Sequence, residues 1–218
     1  MRARTLGRLL VLLVFLGLVA LLFRLGRGGP LPVGGDRLGY LALRGVITDS
    51  EELVQTIDQL GRNPRVRGLV VRIDSPGGAV APSQEIHDAL VRFQEEHHKP
   101  VVVSMGNVAA SGGYYVACHA DRIVADPGSL TGSIGVIMHV ARIDPLLKRL
   151  GVSSEAIKSG PYKDLGSPTR PMTPEERRLL QGVIASVYDQ FVAAVAEGRK
   201  MEEAAVRRLA DGRIFSGA

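Results

Sequence analysis

Cysteine is almost absent from this chain. Cys118 stands alone in 218 residues, which excludes an internal disulfide framework and any all-cysteine metal site. On an apolar segment it suits a small buried hydrophobe better than a reactive thiol. Tryptophan is missing and aromatics make up 5% of the chain, so stacking on bases or sugar rings is not an evident mode of binding. Lysine is scarce, five against twenty-two arginines. No phosphate-binding Gly-x-x-x-x-Gly-Lys-Ser/Thr pattern occurs, and no dinucleotide fingerprint has the right spacing. The net charge of +5 is matched by Arg2, Arg4, Arg8, Arg24 and Arg27, which all flank one apolar run. The rest is near neutral, with no polybasic stretch for a phosphate backbone, which argues against nucleic acid as a partner.

What is present begins with that run. Leu9 to Phe23 is fifteen apolar residues long, within the range of a signal peptide and short of the ~20 residues of a full span. No small-x-small cleavage site follows, and Leu6 to Leu25 approaches a span if Arg8 and Arg24 snorkel to the headgroups. The reading is a basic segment over 1–8, an uncleaved transmembrane signal anchor over 9–25, a Gly/Pro-rich linker over 26–36 and one domain over 37–218. Three arginines and the amino terminus precede the run, so the N-terminus is expected in the cytoplasm and the domain outside it, on a single-pass cell-membrane protein.

Beyond the linker, β-branched runs alternate with helical spacing. A strand pair or bent strand is expected at Leu38–Ile47, and strands at Val66–Ile73, Val101–Met105, Arg122–Ala125, Ile134–Ile137 and Glu155–Ile157. Helices are expected after a Ser50 cap, over Pro82–Glu96, Ser111–Ala117 and Ile143–Leu150, and from the capping box at Thr173–Glu176 to about Glu197. This alternation predicts an α/β fold with a mostly parallel sheet. The chain reaches Ala218 in what reads as another strand, so the domain is expected to continue beyond it.

Two glycine pairs follow buried strands and precede helices, where α/β proteins place ligands. Gly77-Gly78 permits a sharp turn and leaves amide N–H groups free at a helix start, either as an oxyanion hole or as a plain turn. Ser111 precedes Gly112-Gly113 and reads either as a helix N-cap or as a nucleophile, with the Gly112 N–H a second oxyanion donor. A nucleophilic elbow of the Gly-x-Ser-x-Gly kind is excluded by Ala109. For a base, His97 and His98 read as solvated, and His87 and His119 have no evident carboxylate to orient them, His87 being placed on the polar side of its helix. His139 remains in reserve. Lys163, in a Gly/Pro loop beside Tyr162, is either a surface residue or a desolvated base able to take a serine proton.

Asp74-Ser75-Pro76-Gly77-Gly78, Ala109 to Tyr115, Leu130 to Val136 and Ser159 to Lys163, followed by Met172 to Arg177, resemble the signal peptide peptidase A family of serine peptidases in motif and order. The resemblance runs from about Leu38 to Ala218. It implies a crotonase/Clp-protease-like fold of stacked β-β-α units with Ser111 as nucleophile, Lys163 as general base and an oxyanion hole from Gly78 and Gly112. Ser133, with Thr131 second, is the hydroxyl expected to orient the lysine. A Clp-type triad would instead use His139. The implied activity is hydrolysis of apolar peptides such as cleaved signal peptides, without metal or cofactor, by a ring or dome of identical subunits, with the dyad either within one protomer or shared between neighbours. Related alternatives are a membrane peptidase trimming scaffold proteins and a non-catalytic assembly partner.

Overall fold

In a computed structural model of the chain, the described residues are 35–218. The anchor and most of the linker lie outside them. Strand β1 (Arg37–Arg44) alternates buried Leu41 and Leu43 with exposed neighbours, as a strand covered on one face must. Strand β2 (Val66–Ser75) and strand β3 (Val101–Ala110) lie interior to it, and both pairings are parallel. Between them run helix α1 (Glu51–Arg62) and helix α2 (Val80–His97). Ile57 from α1 and Ile86, Leu90 and Phe93 from α2 join Leu69, Val71, Ile73, Val101 and Val103 in the main core. Ser50 occupies the N-cap of α1 without capping it: its hydroxyl donates to Glu85, and Asp49 Oδ1 accepts from the Glu51 N–H at 2.8 Å instead.

β3 is longer than its apolar run because a carboxylate repairs its ladder. The β2–β3 register jumps from Ile73↔Met105 to Ser75↔Ala109. Across that gap Asp74 accepts from the Val108 N–H at 3.1 Å and from Asn107 Nδ2 at 3.4 Å. The first half of β3 pairs with β4 (Arg122–Val124), and its last three residues pair with β5 (Leu130–Gly132). Short helix α3 (Gly112–Ala117) leaves the end of β3, and β6 (Ile214–Ser216) closes the sheet antiparallel to β5. The sheet is therefore parallel except at this edge.

No strand forms at Ile134–Ile137. Gly132 (φ +78°) and Ser133 (φ +51°) turn the chain out of the sheet, and the Ser133 N–H bonds Arg213 O at 2.8 Å. Glu155–Ile157 is likewise exposed and unpaired among the described residues. Helix α4 (Asp144–Arg149) is the single helix of that stretch. Helix α5 (Pro174–Arg199) begins at the Thr173/Glu176 capping box, and its second half buries Phe191, Val192 and Val195 against Cys118, Ile134 and, from helix α6 (Glu203–Leu209), Val206. Cys118 is fully buried, and burial pushes its thiol pKa up to about 12, as suits an inert core residue.

Candidate active site

Ser111 stands between β3 and α3 with φ +53° and ψ −124°, a conformation that strains any side-chain-bearing residue. The turn is held from both sides: the Ser111 N–H donates to Gly132 O at 2.9 Å, and Ser111 O accepts from the Tyr115 N–H at 2.9 Å. The sharp strand-to-helix turn leaves the half-buried Ser111 lining two hollows, a placement similar to that of a nucleophile elbow, although Ala109 removes the usual sequence signature.

The second glycine turn is packed against the first. A Cβ on Gly77 (φ +95°) would lie 2.6 Å from Gly112 N and 2.9 Å from Ser111 Cβ. One on Gly78 would lie 2.1 Å from Ile47 O, because Gly78 bridges to Ile47. That bridge uses Gly77 O and the Ala79 N–H, at 2.9 and 2.7 Å. No described residue accepts from the Gly78 or Gly112 N–H groups. Ser83 donates to Ala79 O at 2.8 Å and lies under Gly112, where a Cβ would be 2.5 Å from its Oγ. Two unbonded amides thus lie beside one serine, the layout an oxyanion requires.

Two hollows meet at Ser111. One, of about 100 Å³, is lined by Gly78, Ser83, Ser111 and Gly112 and walled by Val80, Tyr115, Ile137, Val187 and Phe191. It is mostly apolar. Tyr115 is seated by ring contacts with Phe191 (4.9 Å) and His87 (5.0 Å). The other, more open and of about 420 Å³, runs from Ser111 past Ser133 to Tyr188 and Asp211. Ser133 therefore shares a hollow with Ser111. The Thr131 hydroxyl is engaged with Ala109 O at 2.9 Å.

The histidines fall differently from the sequence reading. His87 is buried, not on a polar face: Asp88 meets its Nδ1 at 2.9 Å, its Nε2 has no partner, and burial lowers its pKa. His139 is exposed and lines neither hollow. Lys163 is also exposed and lines neither. The fold thus brings Ser111, Gly78, Gly112 and Ser133 together and leaves Lys163 on a surface loop. Among the described residues, no group hydrogen-bonds the Ser111 hydroxyl. Sequence reasoning missed the cleft walls on α5, because Val187 and Phe191 are ordinary apolar residues of an amphipathic helix. It also missed the ion pairs of the Lys163 loop, for which Asp164, Arg170 and Glu176 were the available signal.

Comparison with known proteins gives concordant results. The model of peptidase family S49 matches residues 93–218. A Synechocystis sp. protein is 50% identical over 149 residues, covering 68% of this chain and 53% of its own length. Protease 4 of Salmonella typhi is 34% identical over 84% of this chain and 31% of its own. The chloroplastic serine protease SPPA of Arabidopsis thaliana is 35% identical over 82% and 26%. The chain spans about half the length, or less, of these curated relatives. Among solved structures, a point mutant of ClpP1 from Listeria monocytogenes matches with a TM-score of 0.50 at 16% identity, covering 81% of this chain and 82% of that one. The fold is Clp-protease-like.

Proposed function

The chain belongs to peptidase family S49, and from that premise we propose that it is a membrane-anchored serine endopeptidase working through a Ser111/Lys163 dyad. The observation that carries the reading is the strained Ser111 turn, flanked by the unbonded Gly78 and Gly112 amides at the mouth of an apolar cleft. Ser111 Oγ attacks the scissile carbonyl carbon while neutral Lys163 Nζ takes its proton. The carbonyl oxygen becomes an anion held by the two N–H groups, each worth about 2.7–4 kcal/mol in comparable sites. Collapse breaks the C–N bond, and the leaving amine takes the proton back from the Lys163 ammonium. Water, deprotonated by Lys163, then attacks the ester carbonyl; the acyl C–O bond breaks, the acid departs and Ser111 Oγ takes the proton back from Lys163.

The apolar walls suit apolar side chains, and the run Leu9–Phe23 favours a tether beside the bilayer, where cleaved signal peptides are concentrated. Lys163 lies outside the Ser111 hollows, which supports a dyad shared between neighbouring subunits. In α5, Glu176 near the Lys163 loop and Val187 on the cleft wall are about 16 Å apart along the helix axis. The exposed Ile137, Leu146, Leu150, Val152 and Ile157 favour a subunit contact in a ring or dome. His139 and Lys163 are both exposed, and the resemblance of Ser159–Lys163 to the family motif is what favours the dyad over a Clp-type triad.

Hydrolysis of a fluorogenic peptide with an apolar core, from pH 6 to 10, tests this reading. Ser111→Ala is expected to lower kcat by about 10⁴-fold or more and Lys163→Ala by about 10²–10⁴-fold, with the wild-type rate rising through one apparent pKa. Turnover surviving Ser111→Ala sinks the proposal. Turnover surviving Lys163→Ala but lost in His139→Ala replaces the dyad with a triad.

A further inference from the structure

Lys163 is the one unbonded side chain in a run of three. On one side, the Tyr162 hydroxyl donates to Glu175 Oε1 at 2.7 Å. On the other, Asp164 Oδ1 and Oδ2 accept from Arg170 Nη2 and Nε, both at 2.8 Å. Lys163 itself has no ion pair or side-chain hydrogen bond among the described residues. Both of its neighbours are tied to the first turn of the same helix, because Arg170 also bonds Glu176.

Arg170 uses every donor it has. Nε and one Nη2 hydrogen serve Asp164, Nη1 serves Glu176 Oε2 at 2.9 Å and Pro171 O at 3.1 Å, and Nη2 also reaches Glu176 Oε1. Lys158 closes the loop from its other end by donating to Asp164 Oδ1 and to Pro161 O. Glu176 is buried and is simultaneously the capping-box residue of α5, accepting from the Thr173 N–H at 2.8 Å. Further along, α5 supplies the cleft walls Val187 and Phe191. One rigid helix therefore carries both the loop of the base and part of the substrate cleft.

We propose that Arg170 is the positioning residue for Lys163: by bridging Asp164 to Glu176 it fixes the base-bearing loop to the N-terminus of α5 and masks both of those carboxylates. This inference rests on the Ser111/Lys163 reading. A planar guanidinium is required because five donors must meet two carboxylates and a carbonyl at once; an ammonium supplies charge without the fork. The charged groups of this neighbourhood are Lys158, Arg170 and Arg178 on one side and Asp164, Glu175 and Glu176 on the other. Losing Arg170 removes a cation and unmasks Asp164 and Glu176 beside the loop, a change of local charge that the pH–rate profile reads directly.

The test uses the full chain in its native assembly, with kcat, KM and pH–rate profiles on the fluorogenic peptide for Arg170→Gln, Arg170→Lys, Tyr162→Phe and Lys163→Ala. Melting temperature and sedimentation are followed in parallel. Arg170→Gln is expected to lower kcat by roughly tenfold to a hundredfold at nearly unchanged KM, and to shift the rising limb of the profile. Arg170→Lys restores the limb and only part of kcat, and Tyr162→Phe lowers kcat less with no shift of the limb. An unchanged kcat in Arg170→Gln, with Lys163→Ala inactive, overturns the positioning role and leaves the dyad standing. A loss that tracks lowered melting temperature or dissociated subunits, without a shifted limb, also overturns it. Full activity in Lys163→Ala defeats the dyad and this inference with it.

Discussion

The region that carries Ser111 and the region that carries Lys163, the two halves of the proposed site, are built by different forces. Ser111, Gly78 and Gly112 are set by parallel strands, a repaired ladder and glycines so tightly packed that a methyl on Gly77 or Gly78 would collide with backbone and one on Gly112 with the Ser83 hydroxyl. Lys163 lies in a stretch of turns from Ser133 to Arg170 that contains one short helix, leaves apolar side chains uncovered and is tied down by ion pairs. Dense packing tolerates little change and holds a strained geometry. Ion pairs on a partly exposed loop hold position more softly and depend on pH and salt. A nucleophile and its oxyanion donors need the first kind of support. A base presented to a neighbouring subunit can be served by the second.

The same substitution made in each half separates them most widely. Gly77→Ala must resolve a 2.6 Å contact with Gly112 N at φ +95°, moving a proposed oxyanion donor. Peptidase activity is expected to fall by about 10²–10³-fold. Gly160→Ala, where a Cβ meets nothing within 4 Å, is expected to change stability by no more than about 0.5 kcal/mol and to leave activity near wild type. Steady-state kinetics beside thermal melts checks both. An active Gly77→Ala, or an equally damaged Gly160→Ala, would erase the contrast.

The sequence was legible where local rules coincide with tertiary demands. The apolar cores of β2 and β3, the Thr173–Glu176 capping box and the glycine pairs after buried strands all lie where pattern and turn chemistry put them. Failures trace to distant partners. Ser50 looks like a cap, but its hydroxyl is taken by Glu85 from the next helix. The strand expected over Val101–Met105 runs on to Ala110, with the Asp74 carboxylate accepting from the Val108 N–H where the ladder is interrupted. Ile134–Ile137 has strand composition, but the positive φ angles of Gly132 and Ser133 convert it into a cleft wall. His87 looks polar by position and is buried against Tyr115 and His119. Ser111 stood out through its motif alone, since the positive φ of its turn is accompanied by a hydrogen bond to Gly132 O of β5, a partner distant in sequence.

That conformation gives a smaller test, confined to the strand-built half. With φ at +53°, Ser111 is strained by roughly 1–3 kcal/mol, a cost glycine does not bear. Ser111→Gly is expected to melt above Ser111→Ala by an amount equivalent to about 1 kcal/mol, although neither turns over peptide. Calorimetry on the two inactive variants reads this directly. The reverse order would mean that the turn is relaxed and that strain has no part in exposing the hydroxyl.

The smallest expected effect belongs to the ion-paired half and appears only in acid. Hydrogen bonds from Arg170, and then from the Thr173 N–H, hold the Glu176 carboxyl at about 2, below its ordinary value near 4.5. Arg170, and then Lys158, hold Asp164 far below the usual carboxylate range. Because both groups are more acidic in the folded chain, their contribution is complete above the unfolded value and is lost as pH falls from about 4.5 toward 2. Wild-type melting temperature is therefore expected to fall more steeply over that range than that of Glu176→Gln, and the two curves should converge at its acid end. Parallel curves would mean that Glu176 contributes only its shape to the capping box. The Lys163 loop would then be fastened by packing, as the Ser111 turn is, and the two halves of the site would no longer differ in kind.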